Sequence, residues 1–173
     1  MLIVMDNSVT KYQTKYFGEF FVGDDDEEVI IETKINVNGE KKDISIIMAN
    51  CDIYIDKIGL CVNILNQYHK LCKIGENEII KGYIAQGKLA NFLKEHFNDL
   101  NKEDKEKIFG TKGFMKIDIK KFLKKIDPPG ILFSNENGEI MVTICYFLIG
   151  YNERMLSIKM DTGLRVKDIM YYN

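Results

Sequence analysis

The hydrophobic period of this chain changes twice, and each change marks a boundary that the fold must respect. Val29, Ile31, Thr33, Ile35 and Val37 alternate with Glu32, Lys34 and Asn36, the period-2 signature of a strand with one buried face. From Ile53 onward Tyr54, Ile58, Cys61, Leu65, Tyr68 and Cys72 fall instead at steps of four and three, which places them on one side of a helix. After Pro128-Pro129-Gly130 alternation returns, with Leu156, Ile158 and Met160 set between Met155, Ser157 and Lys159. Strands, helices and strands again, grouped rather than interleaved, predict an α+β fold. Helices then pack on one face of a mostly antiparallel sheet, because a parallel α/β sheet needs a helix after nearly every strand.

About seven strands are expected. Three lie at the N-terminal end: Tyr16 to Val22, the run 29–37, and a run through Ile44, Ile46 and Met48. They read as a meander, since Asn38-Gly39 is the preferred pair for a two-residue turn that needs positive φ at both positions. Four more follow the helices: Ile131 to Phe133, Glu139 to Ile149, Met155 to Met160 and Leu164 to Ile169, with a turn at Asn135 to Gly138. Ile140 to Ile149 is apolar on both faces and so belongs centrally, covered in part on both sides. Met155 to Met160 reads as a strand with one solvated face.

In the middle, Asp52 is a natural N-cap for the first helix. A second helical segment runs from Asn77 to Phe97; Gly82 and Gly87 inside it each cost about 1 kcal/mol relative to Ala, which marks a bend or a close neighbour. Asn101 caps a short helix with Glu103 and Asp104 in its first turn, where the helix dipole favours acids. Asp118 caps another, with Ile119, Phe122, Leu123 and Ile126 as its buried stripe. A length of 173 residues predicts one domain, 1–173, since domains run to roughly 100–200 residues.

No apolar run approaches the ~20 residues of a membrane-spanning helix. Met1 to Met5 is apolar but meets Asp6 at once, without the basic start of a secretory signal, so the expected location is cytoplasmic. Cys51, Cys61, Cys72 and Cys145 show no CxxC spacing and sit in apolar runs, as reduced core thiols do. On one helix Cys61 and Cys72 would lie roughly 16 Å apart, beyond disulfide reach.

Catalytic and cofactor motifs are absent: the chain has no GxSxG, GxxxxGK[ST] or GxGxxG. No cofactor is therefore expected. Gly110-Thr111-Lys112-Gly113 is a fragment of a phosphate loop without its first glycine. The two histidines, His69 and His96, cannot build a multi-histidine zinc site. His69 and Cys72, at i and i+3, face the same way on a helix, but two ligands make no metal site, and the expected metal content is none. Ser8, Ser45, Ser134 and Ser157 have no histidine near in sequence. Glu19, Glu32, Asp52, Asp161 and Asp168 read as capping, turn or solvated acids, and Asp161-Thr162-Gly163 reads as a turn.

Charge is unevenly placed. Residues 1–87 carry a net −5 and residues 88–173 a net +3, for −2 overall, which removes the basic excess usual in nucleic-acid-binding domains. Asp24, Asp25, Asp26, Glu27 and Glu28 form a five-carboxylate run between two strands. It reads as a solvated loop that keeps a hairpin from pairing with another chain, or as a docking patch for a basic partner; consecutive acids lack the alternate spacing of an EF-hand loop. Lys116, Lys120, Lys121, Lys124 and Lys125 line the polar side of the Asp118 helix, and Lys120, Lys121, Lys124 and Lys125 are the candidate contacts for an anionic partner.

Both ends of the chain resemble a bacterial family of small proteins without an assigned function. The resemblance rests on Tyr16-Phe17-Gly18-Glu19 opening a hairpin that turns at Asn38-Gly39 and on Ile126 to Ile169. The latter holds a Pro-Gly-Ile strand entry, a strand closing on Cys145-Tyr146, the strand Leu156 to Asp161, a glycine turn and Val166-Lys167-Asp168-Ile169. An aspartate commonly precedes the family's tyrosine; Cys145 stands there in this chain, so no role of that acid transfers. Such families include immunity proteins that neutralise toxins of neighbouring bacteria, and the resemblance implies such a role as an expectation.

The leading expectation is a non-enzymatic, cytosolic protein-binding domain, an immunity-type inhibitor that meets a basic toxin through Asp24 to Glu28. One alternative is a small hydrolase or transferase with a carboxylate or Cys/His site, which requires a concave pocket holding titratable groups of shifted pKa. The other is a homodimeric structural protein paired through a sheet edge.

Overall fold

A computed structural model describes residues 9–37, 39–148 and 154–172. Among these residues eight strands and five α-helices form an α+β architecture. The strands are β1 (Val9–Thr14), β2 (Gly18–Gly23), β3 (Glu28–Val37), β4 (Glu40–Ala49), β5 (Gly130–Glu136), β6 (Glu139–Phe147), β7 (Met155–Asp161) and β8 (Val166–Tyr172). The helices are α1 (Ile58–Leu65), α2 (Tyr68–Ile84), α3 (Lys88–Asp99), α4 (Lys102–Asp104) and α5 (Ile119–Leu123).

The main sheet has six strands in the order β3-β4-β5-β6-β7-β8. Every neighbouring pair is antiparallel except β4 and β5, which run parallel with Ile46 opposite Ile131 and Met48 opposite Phe133. That pair brackets the helical middle of the chain, as a crossover between parallel strands requires. The helix-facing side of the sheet is fully buried at its centre: Ile46, Met48, Phe133, Val142, Ile144, Ile158 and Met160 expose nothing. They belong to one hydrophobic cluster with Ile58, Leu71, Ile79, Leu93 and Phe122 of the helices.

Two expectations about the strands are corrected. The N-terminal end is not a three-stranded meander: β1 and β2 form a sheet of their own, and only β3 and β4 join the main one. The period-2 signal failed for β1 because its inward side is covered only at Tyr12, half-buried, and Thr14, buried, while Thr10 on the same face is exposed. Nor is one face of β7 solvated, since Ser157 is 1% exposed, held between Cys145 of β6 and Met170 of β8. The Asn-Gly hairpin is present, with Val37 opposite Glu40 and φ of 88° at Gly39; Asn38 lies outside the described residues. A second turn of this kind follows β5, tighter than expected, with Asn137 and Gly138 both at positive φ. As expected, β6 is central, with Met141 and Thr143 buried on its second face. Ile149 lies outside the described residues.

The helices break where the apolar period does not. The stretch from Ile53 to Cys72 is a 3-10 turn (Cys51–Lys57), α1 and the start of α2, and Asn77 to Phe97 spans α2 and α3. The turn runs directly into α1, and the joints at 66–67 and 85–87 are two and three residues that leave the buried stripe in line. The turn starts after Asn50 at φ 53°; the Asp52 side chain lies outside the described residues. Asn101 and Asp118 cap as expected, Asn101 Oδ1 accepting from the Asp104 amide at 2.9 Å and Asp118 Oδ1 from the Lys120 and Lys121 amides.

The β1–β2 hairpin is fastened to the joint between α1 and α2. The Lys15 amide donates to Asn66 Oδ1 at 2.7 Å, Phe17 packs edge-on against Tyr68 and Tyr16 against His69. Thr14 Oγ1 closes the tip by accepting from the Phe17 amide and donating to the Gly18 carbonyl.

Candidate functional site

A cleft of about 540 Å³ opens where α2, α5, the end of β3 and the segment 126–129 meet. α2 supplies one helical stripe, His69, Cys72, Glu76 and Ile80, spaced by three, four and four residues so that all face the same way. α5, started by the Asp118 cap, turns Lys120, Leu123 and Lys124 toward the opening. β6 contributes Tyr146, and β3 contributes Ile35 and Asn36.

The bottom of the cleft is polar by composition but internally satisfied. Tyr68 and Tyr146 are each 2% exposed. The Tyr68 hydroxyl donates to the Pro129 carbonyl at 3.4 Å and the Tyr146 hydroxyl to the Cys72 carbonyl at 3.3 Å. Burial pushes both phenols well above their ordinary range. Burial also raises the Cys72 thiol to about 11, against a smaller opposing effect of its hydrogen bond with Tyr68. At neutral pH this wall therefore carries a protonated thiol and two phenols. Charge is confined to the outer residues: Lys120, Lys124, Glu76 and Asp127 are exposed. Asp127 is ion-paired to Lys42 at 3.3 Å, which lifts the Lys42 ammonium above its ordinary value.

His69 and Cys72 share the cleft, and sequence spacing alone found that pair. Glu76 continues their stripe at i+7, a signal present in the sequence. Tyr68 belongs to the apolar stripe from Tyr54 to Cys72 that spacing reveals, whereas Tyr146 and Asp127 come from separate segments without a local signal. Among the described residues no group of three His, Cys, Asp or Glu side chains is placed to hold a metal ion. His96 is elsewhere, 1% exposed and packed on Phe109.

The five-carboxylate run forms the connection between β2 and β3. Its backbone is pinned: Asp26 Oδ2 accepts from the Gly23 amide at 2.7 Å, Cys51 Sγ donates to the Asp26 carbonyl, and the Cys51 amide donates to the Glu27 carbonyl. Asp24, Asp25, Glu27 and Glu28 are exposed, and Asp26 is half-buried. Among the described residues Asp25, Glu27 and Glu28 pair with no lysine or arginine. Phe21 and Val9, 57% and 60% exposed, lie on the outer face of the hairpin that leads into this loop. The loop and the cleft stand at opposite ends of β3: seven residues separate Glu28 from Ile35, roughly 23 Å of strand.

The structure separates the four candidate lysines. Lys120 and Lys124 line the cleft, whereas Lys121 pairs with Asp118 and Lys125 Nζ donates to the Lys107 carbonyl. Gly110 to Gly113 is a loop held by Thr111 Oγ1, with Lys112 paired to Glu106. Asp161-Thr162-Gly163 is a turn: Asp161 Oδ1 accepts from the Gly163 and Arg165 amides, and Oδ2 meets Arg165 Nε at 2.8 Å and Lys167 at 3.1 Å. Glu19 pairs with Lys11, Glu32 is exposed, and Asp168 accepts from the Ile169 amide. Ser45, Ser134 and Ser157 stand on strands, the last donating to Cys145 Sγ at 3.4 Å; Ser8 lies outside the described residues. All four cysteines are free. No described helix is long and apolar enough to cross a membrane. Comparison of the chain with known protein families, with curated proteins and with solved structures gives no match in any of the three.

Proposed function

We propose that the protein acts by binding another protein, and that the acidic connection between β2 and β3 is its contact surface for a basic partner. The observation that carries this reading is a division of labour within the loop. Asp26 and Cys51 fix its backbone, while Asp24, Asp25, Glu27 and Glu28 are held in solvent. A loop whose shape is fixed before contact loses less entropy on binding, and a cluster of one sign steers an oppositely charged surface. Phe21 and Val9 add exposed apolar area beside it, the combination of apolar centre and charged rim found in protein interfaces. An immunity-type inhibitor, which neutralises a basic protein by covering it, is the class this arrangement fits.

The test is capture of partners by the tagged protein at low and high salt, beside the variant Asp24→Asn/Asp25→Asn/Glu27→Gln/Glu28→Gln. Asp26 is left intact because it holds the loop. A basic partner retained by the wild type, released by salt and lost by the variant is the expected result, because exposed charges are screened beyond about 8 Å at physiological ionic strength. Equal capture by both proteins overturns the proposal.

A second reading, a hydrolase or transferase centred on the cleft, is favoured by the convergence of His69, Cys72 and Glu76. It needs a thiolate, which burial opposes.

A further inference from the structure

We infer that the cleft between α2 and α5 binds a small amphipathic anion, a monocarboxylate on an aliphatic or aromatic body, with the carboxylate at Lys120 and Lys124 and the body against the apolar wall. This site is independent of the acidic loop, at the other end of β3. Its volume of about 540 Å³ lies within the range of small-molecule sites, which are mostly apolar with a few polar groups that fix orientation.

The apolar wall is Ile35, Ile80, Leu123, Ile126 and Pro128. Deeper in, the hydroxyls of Tyr68 and Tyr146 already have acceptors in Pro129 and Cys72. The interior thus offers a ligand contact area and little unmet hydrogen bonding, which selects an apolar body. The unmet electrostatics are at the opening. Lys121 and Lys125, on the same stretch of chain, have partners elsewhere. Lys120 and Lys124, one helical turn apart, have no carboxylate partner among the described residues. Of the two acids that also line the cleft, Asp127 is held by Lys42. Among the described residues that line the cleft, two ammonium groups are therefore opposed by one carboxylate without an ion-pair partner, Glu76, on the facing helix. A carboxylate set between the lysines meets two opposite charges, whereas an ammonium in that place meets two like ones.

The experiment uses three probes of one length, octanoate, octanamide and octylammonium, titrated into the intact protein by calorimetry with methyl resonances of Ile35, Ile80, Leu123 and Ile126 followed by NMR. Octanoate is expected to bind about tenfold tighter than octanamide, two exposed charge contacts each contributing up to a few-fold, and octylammonium weakest. Lys120→Gln/Lys124→Gln should remove the octanoate preference, and Glu76→Gln should strengthen octanoate binding a few-fold. All three substitutions are on exposed side chains, so folding is preserved. The inference is overturned if the probes bind equally, if the double variant keeps the preference, if the shifts map away from the cleft, or if octanoate shows no binding at millimolar concentration.

Discussion

The hydroxyl of Tyr146 donates to the backbone carbonyl of Cys72 at 3.3 Å and so ties the centre of the sheet to the second turn of α2. The contact depends on Gly75, three residues further along the helix. A Cβ at Gly75 would fall on the Tyr146 hydroxyl and lie 2.5 Å from Ile144 Cδ1. Absence of a side chain at one position thus sets how closely the helix approaches the sheet, and with it the depth of the cleft wall that Cys72 and Tyr146 share.

Gly75→Ala is accordingly expected to destabilise by about 1–3 kcal/mol, the usual cost of overpacking a filled interior, although alanine is the better helix former. Tyr146→Phe alone should cost about 1 kcal/mol for a lost hydrogen bond. Combined with Gly75→Ala it should recover part of the loss, because it deletes one of the colliding atoms. Urea unfolding of the two single variants and the double variant measures this coupling. Strict additivity would mean that the helix shifts freely and that no tight seam exists.

The glycines at 82 and 87 give opposite expectations. A Cβ at Gly82 would come within 2.6 Å of Leu89 Cδ2, where α2 and α3 pack, whereas at Gly87 it meets nothing within 4 Å. Gly82→Ala should therefore destabilise by about 1–3 kcal/mol. Gly87 is the N-cap of α3 and has no side-chain cap, so Gly87→Ser should stabilise by about 0.5 kcal/mol, a serine oxygen satisfying a free amide of the first turn. Thermal unfolding of both variants checks the pair, and a loss of stability in Gly87→Ser would show the cap geometry to be wrong.

Those glycines show how far the sequence could be read. Reading Gly82 as a mark of close packing needed only the cost of glycine in a helix, but telling it from Gly87 needed Leu89 in place. The C-terminal strands were legible because their apolar residues come in short runs set off by turn signals, Asn-Gly after β5 and Asp-Thr-Gly after β7. β1 was not, since its inner face is covered only at Tyr12 and Thr14, too few residues for an alternation to show. The joint at Asn66 and Gln67 was not either, because a stripe of buried residues continues across it with neither glycine nor proline. Of the cleft, the His69–Cys72–Glu76 stripe is local and can be read from spacing. Its partners Ile35, Lys124, Asp127 and Tyr146 are brought in by chain reversals that no local period encodes.

Asp161 should impose a pH dependence on folding. Its carboxyl is held at about 2, first by the Arg165 amide and then by Lys167 and the Arg165 side chain, against the opposing effect of burial. In the unfolded chain an aspartate titrates near ~3.9. The folded value is the lower one, so the stabilisation is fully present above the unfolded value and is lost as pH falls from about 4 through about 2. Asp161→Asn should remove that component. Unfolding midpoints measured between pH 2 and 7 check it: the gap between wild type and variant narrows on acidification. A constant gap would mean that these contacts do not lower the titration of the Asp161 carboxyl.

The Cys72 thiol decides between the two readings of the cleft. Burial raises it to about 11, so near pH 7 only about one thiol in 10⁴ is ionised, and the thiolate is the reactive form. Alkylation of the native protein at Cys72 should be slow at neutral pH and should accelerate about tenfold per pH unit up to about 11. Cys61, which burial raises to about 12 and which is fully enclosed, should stay protected until the protein unfolds. Mass spectrometry of iodoacetamide-treated protein over pH 6–10 resolves the two sites. Fast, pH-independent labelling of Cys72 near neutrality would instead reveal a stabilised thiolate. That outcome would turn the His69, Cys72 and Glu76 stripe from one wall of a binding cleft into the nucleophilic centre of an enzyme.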